Sequence, residues 1–391
     1  MSERLPVVWY RRMAARDSGE AHRVSTPLEL LFDLCFVVAV AQVAAELHHY
    51  VVAGDWAAAL PSYALVFFAI WWAWMSFTWF ASAYETDDVA YRIATLGQIT
   101  GALVLAAGVP RAFEHHDFSI AILGYTIMRV ALIAQWLRAA HGHTGPGRAT
   151  AHRYALGLAT SQALWLALLL LPESWRMPVI PFLVLYDIAV PPWAERRAPI
   201  SWHPHHIAER YGLFTLIVLG ESVLAATMAV QSALDEHHAT GNQYQVAAGG
   251  LLIVFAMWWL YFAKPAYRFL TASNRASYLW GYGHYFIFAS AAAVGAGLAV
   301  NVDVSVNHAA ITPSGGAAAI AIPVAVFLMV LWILQVRPHR TGRRHDALFP
   351  AAALLALTTI LIDVSGVAVL AIGVLMAALV AVGFLTAAGR P

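Results

Sequence analysis

Cysteine and lysine are nearly missing from this chain: one Cys (Cys35) and one Lys (Lys264) in 391 residues. A single thiol excludes any disulfide within the chain and leaves the redox compartment open. Charge of either sign is also scarce. Asp, Glu, Lys and Arg make up 12% of the residues, against about 25% in an ordinary soluble domain. The net charge of +1 says nothing about partners, and no nucleic-acid partner is expected. The sequence holds no Walker loop, no Rossmann glycine fingerprint and no Gly-x-Ser-x-Gly elbow, and no polar stretch is long enough for a sizeable soluble domain. A nucleotide-driven pump is therefore not expected, nor is a cofactor.

What is present is apolar. Hydrophobic residues make up 61% of the chain, more than one aqueous core can bury, so the surplus must face a bilayer. A hydrocarbon core needs about 20 apolar residues per helix. Twelve runs qualify, at about 26–49, 57–80, 90–110, 118–138, 152–171, 177–193, 210–233, 245–264, 277–300, 315–336, 347–362 and 364–388. The sixth and eleventh are short. The Arg-rich start lacks a small-residue cleavage site and does not read as a signal peptide. The expected fold is all-α, a polytopic transmembrane helix bundle of about 12 spans.

Basic residues set the orientation. With the N-terminus inside, 20 of the 23 Lys and Arg residues fall on the inside. Only Arg111 and Arg176 fall outside, and Arg129 lies within a span. Both termini are thus expected in the cytoplasm, with the chain in the cell membrane.

The two halves also look alike. Phe68-Ala69-Ile70-Trp71-Trp72 matches Phe255-Ala256-Met257-Trp258-Trp259. Glu46-Leu47-His48-His49 matches Asp235-Glu236-His237-His238, and Glu29 parallels Glu209. These offsets of 187, 189 and 180 residues predict two parallel six-helix repeats, a plan seen in transporters. The predicted organisation is a cytoplasmic segment 1–25, a first repeat 26–193, a linker 194–209 and a second repeat 210–390.

Ionisable groups within a bilayer are costly, which marks them as functional candidates. Glu29 and Asp33 share one face of the first helix at i and i+4. Arg129, Asp187, Glu221 and His284 lie in the fourth, sixth, seventh and ninth spans. A buried polar pathway would use Arg129 as counter-ion to Glu221 or Asp33; a static ion pair would merely fix packing. His203, His206 and Glu209 at i, i+3 and i+6 are weak metal candidates, and they sit at a boundary where they could equally pair or cap. The outer pairs His48-His49, His115-His116 and His237-His238 read as solvated interfacial histidines, with pH sensing or metal binding as the functional alternative. Trp71, Trp72, Trp74, Trp79, Trp258 and Trp259 read as belt and packing residues. Gly97 and Gly101, with Gly295 and Gly297, predict close helix approach.

Two long motifs resemble those of a known family. One is Pro27-Leu28-Glu29-Leu30-Leu31-Phe32-Asp33-Leu34-Cys35-Phe36-Val37. The other runs from His203-Pro204-His205-His206-Ile207-Ala208-Glu209-Arg210 through Leu219-Gly220-Glu221-Ser222. Together they resemble the low temperature requirement A family, over about residues 22–390. The resemblance implies a bacterial multi-pass membrane protein tied to growth in the cold, and it implies no reaction or substrate. Its motif residues here are His203, His206, Glu209, Arg210 and Gly220. The stretch Phe32-Asp33-Leu34-Cys35-Phe36 also resembles the first-helix motif of a potassium-channel family, but it lacks that motif's Ser before the Asp, and the seventh span has no matching acid.

The expected function is a secondary transporter or a proton or cation pathway, its ion or small-molecule substrate undefined and its oligomeric state open. The alternatives are an intramembrane enzyme or binding protein acting on lipid, and a non-catalytic scaffold or sensor.

Overall fold

The computed structural model describes residues 8–17, 20, 23–235, 241–270, 274–339 and 343–388. Arg4, Arg340, Arg390 and the Glu236-His237-His238 part of the repeat signature lie outside them. Among the described residues the structure is helical, without strands. In chain order come α1 (Pro27–Val52), α2 (Trp56–Tyr84), α3 (Val89–Ala107), α4 (Val109–Glu114), α5 (Ser119–Gly142), α6 (Pro146–Leu168) and α7 (Glu173–Glu195). There follow α8 (Pro204–Asp235), α9 (Gly241–Phe262), α10 (Tyr267–Leu270), α11 (Asn274–Ser305), α12 (Pro313–Leu331), α13 (Arg343–Thr358) and α14 (Ser365–Ala388).

Ten of these helices are long and apolar enough to cross a membrane. α6 and α13 are not among them. α6 opens with Arg148, His152 and Arg153, which dilute its apolar character, and the apolar part of α13 is only Ala347–Leu361. The sixth expected span proves longer than predicted. It runs 23 residues as α7 and carries four internal prolines, Pro178, Pro181, Pro191 and Pro192. Membrane helices tolerate these because neighbouring groups re-satisfy the freed backbone.

By contacts the chain divides into two compact units, residues 1–39 with 69–210, and residues 40–68 with 211–391. The divisions fall inside α1, α2 and α8.

In the first unit, α3 and α5 meet at two glycines. A Cβ on Gly101 would lie 2.6 Å from the Gly124 carbonyl, and one on Gly124 would strike the Leu105 backbone. Such small residues let membrane helices approach, since lipid supplies no hydrophobic drive between them. Phe32 on α1 packs on Phe77 of α2, ring centroids 4.2 Å apart, and Trp136 stacks on Tyr154 between α5 and α6 at 4.1 Å. Residues 8–17 lie as a strap on this unit. Arg16 N–H donates to the Ala83 carbonyl at 2.9 Å, Arg12 reaches the Gly142 carbonyl at 3.0 Å, and Met13 is fully buried.

In the second unit, α9 and α14 cross at Gly249, where a Cβ would lie 2.6 Å from the Val369 carbonyl. Asn301 on α11 donates to the Gly297 and Gly316 carbonyls, both at 2.7 Å. Tyr63 on α2 donates to the Ala289 carbonyl at 2.6 Å, and Tyr285 on α11 donates back to Ala64 at 2.8 Å.

Candidate functional site

The first unit buries an acid–base cluster where α1 and α8 begin. α1 opens with a reciprocal cap: Thr26 N–H donates to Glu29 Oε2 at 2.8 Å, and Glu29 N–H to Thr26 Oγ1 at 3.3 Å. This capping box suits an acid in a first turn, where the helix dipole also favours it. α8 opens with Pro204 after His203, whose Nδ1 accepts the His206 N–H at 3.3 Å. The other ring nitrogen of His203 then donates to the Glu20 carbonyl at 2.8 Å. His203 is thus a helix cap with both nitrogens engaged.

Glu29 and Asp33 stand one turn apart on α1, and His206 and Arg210 stand one turn apart on α8. The turns meet in register. His206 Nε2 lies 3.1 Å from Glu29 Oε1. Arg210 forms a two-pronged pair with Asp33, Nε to Oδ2 at 2.9 Å and Nη2 to Oδ1 at 2.6 Å. Both pairs span 177 residues of sequence. Arg210 Nη1 is also 3.1 Å from Glu29 Oε1. Trp74 Nε1 donates to Asp33 at 2.6 Å, and Thr78 accepts from Arg210 at 3.3 Å. Arg23 approaches Glu29 at 3.8 Å while binding the Ala81 carbonyl at 2.8 Å and the Ser82 carbonyl. Glu29, His206 and Arg210 are 0% exposed and Asp33 1%. With His206 neutral, two carboxylates balance two guanidiniums. Glu29 Oε1 and Arg210 Nη1 are engaged by these ion pairs alone, while His206 Nδ1 and the Tyr91 hydroxyl are buried without a hydrogen-bond partner among the described residues.

A second ionic set stands at the end of α2, near the Ala81 and Ser82 carbonyls that Arg23 binds. Arg16 joins Glu85 at 2.5 Å and Glu20 at 2.7 Å, and both Arg16 and Glu20 are about one-third exposed. Burial, then the charge of Glu29, pushes the Glu85 carboxyl above its usual range against Arg16 and Arg23. Asp88, the cap of α3, behaves oppositely. Burial opposes its charge, but Arg138 and the Tyr91 and Arg11 N–H groups outweigh that and hold its carboxyl below the usual range.

Arg129 does not serve Glu221 or Asp33 as counter-ion. Its Nη2 donates to Asp187 at 2.7 Å and to the Tyr125 hydroxyl at 3.0 Å. Asp187 also accepts from Ser161 at 2.7 Å and from Trp165 Nε1 at 2.8 Å. A carboxylate with three donors from α5 and α6 is a tie between helices α5, α6 and α7. The expected counter-ion scheme fails because Asp33 takes Arg210, a base the sequence places at a helix boundary rather than within a span.

The metal candidates do not converge. His203 is the cap described above, His206 faces Glu29, and Glu209 accepts the Ser25 N–H at 3.1 Å. Among the described residues no group of three or more His, Cys, Asp or Glu side chains could hold a metal ion. In the second unit, His48 pairs with Asp303 at 2.6 Å. His284 is enclosed: Nδ1 donates to the Trp280 carbonyl at 2.7 Å, and Nε2 accepts from Tyr261 at 3.1 Å. Glu221 is half-buried on α8 beside Gly220, with open space around that glycine.

Ten long apolar helices among the described residues, with buried, paired charges, mark a multi-pass membrane protein. The chain belongs to the family of the bacterial low temperature requirement A protein (LtrA), whose model matches residues 24–382. Over 292 residues it is 26% identical to an uncharacterized protein of Rhizobium meliloti (strain 1021), an alignment covering 71% of this chain and 68% of that one.

Proposed function

We propose that the protein is a secondary transporter or ion pathway for protons or a small cation, and that the Glu29–Asp33–His206–Arg210 cluster is its coupling site. The observation that carries this reading is the matched pair of turns, acids on α1 against bases on α8, buried together and joined by Arg23, which approaches Glu29 and binds the Ala81 and Ser82 carbonyls of α2. A structural tie needs only one pair, as Arg129 and Asp187 illustrate. This cluster has a second acid and a second base.

His206 is the member whose ordinary titration falls near neutral pH. A proton on it adds one positive charge to a balanced, enclosed set. It then competes with Arg210 for Glu29 Oε1, which both approach at 3.1 Å. With Arg210 displaced, Glu29 is held by the protonated His206, so the contact between α1 and α8 changes with the proton. The Arg129–Asp187 pair is a packing element in this scheme, and Glu221 and His284 stand outside it. We further propose twelve spans in two parallel six-helix repeats, joined by the 194–209 linker, with both termini in the cytoplasm.

Flux into liposomes carrying the purified protein tests the reading, with potassium, sodium and proton gradients imposed separately. The expected result is flux in at least one gradient, lost in Glu29→Gln and His206→Ala but retained in a folded Glu221→Gln. Wild-type flux no greater than in empty liposomes for all three ions would overturn it. So would flux that survives both cluster substitutions.

A further inference from the structure

Glu221 presents a different problem from the paired acids. It stands 17 residues beyond Pro204 on α8, about 26 Å along the axis, well inside an apolar span. The same helix exposes Leu216, Val223, Leu224 and Met228, at 44%, 50%, 55% and 52%. In a membrane helix this is the face toward hydrocarbon. Glu221 sits at the edge of that face. Beside it, a Cβ on Gly220 would meet nothing within 4 Å, so the carboxyl is approachable from the bilayer.

The helix itself is held firmly here. A Cβ on Gly295 of α11 would lie 3.1 Å from the Glu221 backbone, and Ser222 donates to the Ala291 carbonyl at 3.0 Å. Ser222 thus points away with its hydroxyl engaged. Among the described side chains, the acids and bases of α11 are occupied elsewhere: His284 is bound by Trp280 and Tyr261, and Asp303 by His48. α9 carries no Asp, Glu, Lys, Arg or His. Among the described residues, no ion pair or hydrogen bond engages the Glu221 carboxyl.

A bare carboxylate in hydrocarbon is costly and persists only when paired or neutralised. A metal cation would need several oxygen ligands, about six for calcium or magnesium, and only one acid is offered. A proton needs one oxygen. We propose that Glu221 is a proton-binding site on the bilayer-facing side of α8, separate from the Glu29–Arg210 cluster, holding its carboxyl un-ionised while it faces hydrocarbon and exchanging the proton when water reaches it. The site does not depend on the transport reading, so the two can fail independently.

An apolar carbodiimide tests this, with dicyclohexylcarbodiimide as the probe on the full protein in liposomes. The un-ionised carboxyl passes its proton to a carbodiimide nitrogen, and its oxygen bonds the central carbon. The adduct then rearranges by acyl shift from oxygen to nitrogen, and no atom is lost. Mass spectrometry locates the label. The expected result is labelling at Glu221 that slows at least about fivefold from about pH 6 to about pH 9. It should persist in Glu221→Asp and vanish in Glu221→Gln, while Glu29 and Asp33, held by Arg210, stay nearly unlabelled. An unlabelled Glu221 overturns the proposal and indicates a second helix covering that face. A rate independent of pH, or matched by a water-soluble carbodiimide, overturns it as well.

Discussion

Asp33 and Arg210 show at the scale of single residues how charge survives in this interior. The guanidinium meets both carboxylate oxygens, and Trp74 and Thr78 take up further hydrogen-bonding capacity. Desolvating two such charges is costly, so the pair adds little net stability as a pair. Removing one partner is another matter, since it strands the other. Asp33→Asn is expected to destabilise the protein by about 3–5 kcal/mol, and Asp33→Asn with Arg210→Gln by clearly less. Denaturant unfolding of the three variants in detergent, read as a double-mutant cycle, measures the coupling. Losses that simply add would show that the two groups do not act as a pair. From sequence, Glu29 and Asp33 were legible as an acid pair on one face because they stand one turn apart as an apolar run begins. Their partners were legible only as motif members: His206 and Arg210 sit at a helix start, where a solvated role is the ordinary expectation. The shared spacing of four residues was the available signal.

At the scale of elements, glycines mark where helices touch, but only some of them. Gly97 and Gly101 form one sequence pattern, yet Gly101 makes the tight crossing with Gly124, whereas a Cβ on Gly97 would sit at an ordinary 3.9 Å from Ala131. Gly295 and Gly297 were also expected at a close approach, and α11 meets α8 and α12 there. Gly124→Ala should cost about 1–3 kcal/mol, the usual penalty for overpacking. Gly220→Ala has open space and should be neutral or gain about 0.5–1 kcal/mol from helix propensity. Thermal unfolding of the two variants in the same detergent distinguishes these sites, and equal midpoints would contradict the crossing. Helix α7 teaches the complementary lesson. All four of its prolines fall inside the expected 177–193 span, and the residues the helix adds at its ends include the charged Glu173, Arg176 and Glu195, which hydropathy alone excludes from a span.

At the scale of the whole molecule, the proposed orientation makes the strap a cytoplasmic feature. With Cys35 replaced by Ser, a cysteine introduced at Arg11 should react with a membrane-impermeant maleimide only after the cells are permeabilised. Immediate reaction from outside would invert the topology. The strap explains why so much arginine gathers before the first helix. Arg12 and Arg16 grip backbone carbonyls and acids at the ends of α2 and α5, in addition to any part they play in orientation.

The sequence alone determined that this is a helical membrane protein of the low temperature requirement A family, because apolar run lengths, the placement of arginine and two local motifs are written along one dimension. It also marked which acids lie within the apolar spans. Only the tertiary structure decided the pairing: Asp33 with Arg210, Glu29 with His206, Arg129 with Asp187, and, among the described residues, no partner for Glu221. The reason is physical. Buried charges are neutralised by groups within a few ångströms in space, and helices bring together residues 177 positions apart as readily as four.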